Sequence, residues 1–306
     1  MSKGNFEGVL VPVPTPFTAS FKPDAKRFIE ICKWTLEQGA SGLAVLGTTS
    51  EANSMSLSQR CELLDQLIEA GVPAIKLMPG AGACSLDETI TMTRKATQAG
   101  CGGVLLLPPF YYKIATDDGV FKFISEVVQQ VGSSDLQVYL YHIPPMAVIP
   151  YSIDLVGRLI KAYPDTIVGI KDSSGDWSNT EALLREYPDF DVFPGSELFL
   201  LQGLRAGSSG CITATGSVNP AGICAVFDNW QTGEADALQS GITEIRKTIQ
   251  AYPMIAAVKT IIAHFNEDPD WKTVAPPLLP LADNVAKSLL SDLTAINFEM
   301  AKLTND

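Results

Sequence analysis

Apolar residues fall along this chain in two rhythms that take turns. Short, mainly apolar runs at residues 9–13, 43–46, 74–77, 104–107, 137–141, 167–170, 192–193 and 211–212 predict strands buried on both faces, the condition of a parallel sheet covered by helices. Longer stretches between them carry helical spacing, as where Leu57, Cys61, Leu64 and Ile68 fall on one face. Four helical stretches end in glycine shortly before an apolar run, at Gly39, Gly71, Gly100 and Gly207, and each glycine is predicted to take the left-handed conformation past a helix end. Ser56 with Gln59 and Ser85 with Glu88 predict capping boxes at two helix starts.

Eight strands alternating with helices over residues 1–220 predict a closed (β/α)₈ barrel, a TIM barrel. The rival, an open doubly wound sheet, would be expected to carry G-x-G-x-x-G after its first strand, and this chain does not. Residues 221–306 show helical stretches near 221–231, 234–251, 254–265 and 282–303, interrupted by Pro276, Pro277 and Pro280. With no strand pattern there, the expectation is a C-terminal helical region packed on the barrel.

Composition narrows the function. The 306 residues are 46% hydrophobic and 18% charged, and 22 basic against 34 acidic residues leave a net charge of -12. That charge repels phosphate backbones and anionic lipid, so neither nucleic acid nor membrane is an expected partner. The start of the chain lacks an apolar signal region, and no stretch reaches the roughly 18 to 20 apolar residues of a membrane span, so a cytoplasmic protein is expected. Six scattered cysteines without a C-x-x-C pair read as reduced thiols. The two histidines, His142 and His264, show no metal-ligand spacing, so neither a metal nor a cofactor is expected.

Lys171 carries the candidate chemistry, at the end of the apolar run Val168-Gly169-Ile170-Lys171-Asp172. An ammonium group there is costly to bury, and a lysine that gives up its proton becomes an amine able to attack a ketone and form a Schiff base. The plainer alternative is a strand-end lysine that snorkels to solvent. In a barrel the C-terminal strand ends share one pocket. The other ends are Gly47-Thr48-Thr49-Ser50-Glu51, Pro108-Pro109-Phe110-Tyr111-Tyr112, Tyr141-His142-Ile143-Pro144 and Pro194-Gly195-Ser196-Glu197. An amine, phenols and paired hydroxyls suit carboxylate binding and proton transfer without metal. Glu51, Asp172 and His142 read as structural groups, and the 207–210 loop precedes a strand, so it belongs on the opposite barrel face.

These spaced motifs, with Thr15-Pro16-Phe17, GIKDSSGD and Gly210-Cys211-Ile212, resemble the pyruvate-dependent class I aldolases and lyases that include dihydrodipicolinate synthase and N-acetylneuraminate lyase. The resemblance implies Lys171 as the Schiff-base lysine, Tyr141 as the proton-shuttling phenol, and Thr48 and Thr49 as the pair that holds the 2-oxo acid carboxylate and links to the tyrosine proton relay, with Thr49 among the catalytic residues. It implies that Tyr111 completes the proton relay in a neighbouring subunit, that the backbone of Gly195 and Ile212 lines the pocket, and that the chain forms a homotetramer built from dimers. Met146 stands where the synthases carry an arginine for the aldehyde's carboxylate, and Ser50 where glycine is common. The expected activity is therefore reversible cleavage of a 2-oxo acid, a 2-keto-3-deoxy sugar acid first, to pyruvate and an aldehyde. Dihydrodipicolinate synthesis from pyruvate and aspartate semialdehyde, dehydration of a 2-oxo sugar acid through the same lysine, and a catalytically silent binding or regulatory protein are the alternatives.

Overall fold

A computed structural model describes residues 4–303. Seven strands, Gly8–Val11 (β1), Gly42–Leu43 (β2), Val104–Leu106 (β3), Val138–His142 (β4), Ile167–Asp172 (β5), Asp191–Pro194 (β6) and Gly210–Ile212 (β7), form two parallel ladders in the orders β2-β1-β7 and β3-β4-β5-β6. Residues 77–81 bridge the gap between β2 and β3: Leu43 pairs with Leu77 and Gly80 with Leu105, both in parallel. Met78 N–H donates to the Leu43 carbonyl at 2.8 Å and Leu105 N–H to the Pro79 carbonyl at 2.9 Å. At the other gap, Ser209 N–H donates to the Val192 carbonyl at 3.1 Å. The ring is closed, and the fold is a (β/α)₈ TIM barrel.

The third stave corrects an expectation. Residues 74–76, expected to be strand, form a 3₁₀ turn in which Lys76 N–H reaches Pro73 and Leu77 N–H reaches Ala74. Pairing begins only at Leu77 and is interrupted by Pro79, which has no N–H to donate. The stave is real but starts three residues late.

Alternation across the strands sorts the core into two layers. Leu10, Ala44, Met78, Leu105, Tyr139, Val168, Phe193 and Ile212, one from each of the eight staves, pack together inside the barrel. Their neighbours Val9, Val11, Leu43, Leu77, Val104, Leu106, Val138, Leu140, Ile170 and Val192 face outward into a second cluster. That cluster is completed by the surrounding helices Ala25–Glu37 (α1), Leu57–Glu69 (α2), Leu86–Gln98 (α3), Asp117–Val131 (α4), Ile153–Ala162 (α6), Trp177–Glu186 (α7) and Leu200–Arg205 (α8), whereas the short helix Pro144–Ala147 (α5) sends Ala147 into the inner cluster.

Gly39, Gly71, Gly100 and Gly207 all have positive φ, as their positions past α1, α2, α3 and α8 require. Ser56 and Gln59 form the expected reciprocal box, whereas at Ser85 only the side chain's bond from Glu88 N–H is present. On α2, Leu64 of the expected face is fully buried and Leu57, Cys61 and Ile68 pack against the core partly buried, while Arg60, Leu63 and Leu67 widen the buried face, the Arg60 guanidinium reaching the Gly80 carbonyl at 2.6 Å.

Four further helices follow, Pro220–Asn229 (α9), Ala235–Gln250 (α10), Met254–Phe265 (α11) and Asp283–Ala295 (α12), the last ending sooner than expected. Ile249, Val258, Ile261, Ile262, Leu289 and Leu293 bury into the same outer cluster as the barrel helices. No helix among the described residues is long and apolar enough to cross a membrane.

Candidate active site

Strand register brings the central pair together. An irregularity in the β4–β5 pairing lies between Val138 and Tyr139; beyond it the strands run in step, so Tyr141 lies directly beside Lys171. Both are buried, with Lys171 only 5% exposed. Lys171 Nζ lies 3.4 Å from the Tyr141 hydroxyl and 4.4 Å from its ring centre. The Tyr141 hydroxyl in turn donates to Thr48 Oγ1 at 3.4 Å. Both contacts are longer than a settled hydrogen bond, as catalytic contacts often are before a substrate draws them in. Lys171 forms no ion pair among the described residues.

Thr48 and Thr49 sit on a loop bracketed by two non-glycine residues with left-handed backbone, Leu46 at φ 57° and Glu51 at φ 54°. Such conformations cost about 1–3 kcal/mol each and persist only where neighbours enforce them. Glu51 is enforced: its carboxylate accepts from Lys259 Nζ of α11 and from Ala275 N–H at 2.7 Å. It is a structural acceptor, as expected. Ser50, where glycine is common, has an ordinary φ and donates to the Val13 carbonyl at 2.5 Å, tying the loop to the end of the first stave.

A cavity of about 280 Å³ opens over these strand ends. Thr48, Thr49, Tyr141, Lys171 and Gly195 line it, so five of the expected residues meet in one place. A Cβ on Gly195 would lie 2.0 Å from Ser173 Oγ, which explains glycine there. Ile212 lies one layer deeper, fully buried in the barrel interior, and Ala214 takes its place on the wall. Tyr111 is not brought to this cavity: it is 72% exposed and packs edge-to-face on Tyr112 at 5.3 Å.

Asp172 lines the cavity but is already engaged by Ser174 N–H at 2.9 Å, Asn179 Nδ2 at 3.0 Å and the Thr180 hydroxyl at 2.7 Å. His142 Nδ1 accepts from Tyr151 N–H at 3.0 Å, and burial holds its imidazole below the ordinary value against the opposing pull of Asp172. Both are structural, as the sequence suggests. The 207–210 loop lies at the N-terminal end of the strands, where Gly8 N–H donates to the Ser209 carbonyl.

Loops and helices above the strand ends supply the rest of the wall: Ile143, Pro145, Met146, Phe199, Met254 and Ile255, with the hydroxyls of Ser173 and Ser196. One further residue there escapes sequence reasoning. Arg246, on α10, reaches the cavity from outside the barrel proper. Its only signal is its place in an amphipathic helix, where an arginine reads as solvent-exposed.

Comparison with known proteins finds relatives over nearly the whole chain. A model of the dihydrodipicolinate synthetase family matches residues 5–296. The chain is 30% identical over 284 residues to an uncharacterized DapA-like lyase of Chloroflexus aurantiacus, covering 92% of this chain and 94% of that protein. The crystal structure of dihydrodipicolinate synthase from Agrobacterium tumefaciens superposes with a TM-score of 0.88 at 28% identity, over 95% of this chain and 99% of that one. That of the chloride-inhibited dihydrodipicolinate synthase from Acinetobacter baumannii, complexed with pyruvate, does so with 0.85 at 26% identity and the same coverage.

Proposed function

Because the chain belongs to the dihydrodipicolinate synthetase family and is a lyase of that family, we propose that it cleaves a 2-oxo acid reversibly to pyruvate and an aldehyde through a Schiff base on Lys171. The observation that carries this is a buried amine without a counter-ion, held beside a phenol and a threonine hydroxyl in one cavity. Lys171 Nζ adds to the ketone carbon and water leaves, giving an iminium. Tyr141 takes the C4 hydroxyl proton as the C3–C4 bond breaks, and the electron pair of that bond moves onto the iminium to give an enamine. Protonation at C3 and hydrolysis release pyruvate and restore the lysine.

Thr48 and Thr49 hold the carboxylate, and Thr48 passes the proton onward from Tyr141. The exposed Tyr111, Tyr112 and Ile114 suit contact with a second subunit in a cytoplasmic homotetramer. A 2-keto-3-deoxy sugar acid is the substrate first expected; condensation of pyruvate with aspartate semialdehyde uses the same steps in reverse. The two differ in the aldehyde half. Borohydride reduction in the presence of pyruvate, followed by peptide mass analysis, should place a reduced pyruvyl adduct on Lys171. No adduct, or one on another lysine, refutes the reading.

A further inference from the structure

The aldehyde half has its own wall, and the following rests on the function proposed above. Ile143, Pro145, Met146, Phe199, Met254 and Ile255 offer it only apolar contact, and Met146 has no charge to give. The hydroxyls of Ser173 and Ser196 and the guanidinium of Arg246 are the polar groups beside them, and Arg246 brings the charge, with its side chain 14% exposed. Nη1 donates to Glu197 Oε2 at 3.2 Å and to Thr213 Oγ1 at 3.1 Å, and Nε to Gln250 Oε1 at 3.2 Å. Nη2 makes no hydrogen bond to any described residue. A guanidinium is a two-pronged fork, and pairing through one prong leaves the other for a second acceptor.

Glu197 explains why the fork is held rigidly. It is buried, Oε1 accepts from the Thr215 hydroxyl, and Oε2 accepts from the Thr213 hydroxyl and from Arg246. A hydroxyl-rich chain would find Ser173 and Ser196 to pair with, and each further hydroxyl laid along the apolar side chains would be left unpaired, at about 1–3 kcal/mol. A chain with few hydroxyls and one terminal carboxylate meets no such cost, and its charge meets the free prong.

We propose that Arg246 anchors a carboxylate on the aldehyde half, so that preferred substrates are 2-oxo acids with a second acid group at the far end of a hydroxyl-poor chain. The anchor then comes from α10, where the resembling synthases use the loop that here holds Met146. In the condensing direction the enamine carbon attacks the aldehyde carbonyl, the new alkoxide takes its proton from Tyr141, and water hydrolyses the imine.

The test pairs pyruvate with succinic semialdehyde, butanal or glyceraldehyde and follows pyruvate consumption. The parent protein should favour succinic semialdehyde at least about tenfold in kcat/KM over both others. Arg246→Met combined with Glu197→Gln, which leaves no buried carboxylate without its cation, should lower that value by about 10- to 100-fold while butanal changes far less, the range expected for one charged hydrogen bond. Arg246→Lys, which keeps the charge without the fork, should fall between. Equal use of the three aldehydes by the parent, preference for glyceraldehyde, or a parallel loss of all three in the variants overturns the proposal and leaves Arg246 as the partner of Glu197 alone. Borohydride trapping of pyruvate by the parent separates the two levels: a parent that traps pyruvate but ignores the acid group refutes the anchor only, and one that fails to trap refutes the Schiff-base reading as well.

Discussion

Lys171 and Lys259 are both buried and differ in what surrounds the ammonium group. Lys259 Nζ, on α11, has the Glu51 carboxylate, the Thr273 carbonyl at 2.8 Å and the face of Phe17 at 4.6 Å. Burial lowers its proton affinity, and the Glu51 carboxylate pulls the other way. Lys171 Nζ has a phenol at 3.4 Å and an open cavity. On the function proposed above, burial alone does not make a nucleophile. What sets Lys171 apart is that it has no counter-ion among the described residues and has room for a carbonyl carbon to approach, whereas the paired lysine holds Glu51 at the end of the Thr48–Thr49 loop.

The strongest way to break this comparison is to delete each amine in turn. Lys171→Ala should abolish the borohydride adduct and lower turnover on the order of 10⁴- to 10⁶-fold, as loss of a nucleophile does, while the thermal midpoint changes little. Lys259→Met should leave the adduct on Lys171. An adduct that survives in the Lys171 variant and vanishes in the Lys259 variant would reverse the roles. Tyr141→Phe comes next: loss of a proton carrier should cost about 10²- to 10⁴-fold in kcat, with pyruvate still trapped on Lys171. Unchanged kcat in that variant would move the proton relay elsewhere.

Lys259→Met also probes the Lys259–Glu51 pair by stability. It strands Glu51 as an unpaired charge at a site excluded from water, and breaking a buried pair in this way costs about 3–5 kcal/mol. Adding Glu51→Gln removes the stranded charge and keeps an acceptor for Ala275 N–H, so the double variant should regain most of the loss in urea denaturation. If both forms unfold at the same urea concentration, the pair is not what holds the loop.

How much of this was legible in the chain follows the same division. The strand ends were readable because each is a contiguous stretch in which an apolar run meets Lys171, Tyr141 or Thr48, and the helix-ending glycines were readable because only a left-handed cap needs them. Lys259 was equally visible in principle, a lone cation inside Met254–Phe265, where every neighbouring position is apolar or small. An ammonium group is as costly to bury there as at Lys171, but nothing local reveals that Glu51, 208 positions away, is its partner. Arg246 was illegible for the opposite reason: α10 has a polar face, and only the tertiary fold decides which of its cations turns toward the cavity. The third stave misled because Ala-Ile-Lys-Leu has strand composition while Pro73 and Pro79 on either side decide the backbone.

The smallest expected effect sharpens the comparison at the residue next to Tyr141. His142 Nδ1 accepts the Tyr151 N–H, a bond that requires the ring nitrogen unprotonated, and burial holds the imidazole below its ordinary value of 6.5. The unfolded chain therefore binds a proton at a higher pH than the folded one. Its contribution to stability is complete above pH 6.5 and is lost as pH falls from there through the folded value, at no more than about 1.4 kcal/mol per pH unit. In His142→Asn, whose side chain can still accept from Tyr151 but does not titrate, that segment of the stability profile should flatten. Urea unfolding of both proteins between pH 7 and pH 5 measures the difference. Parallel profiles would mean that His142 charges freely in the folded protein, and that the strand row behind Lys171 is wetter than its burial implies.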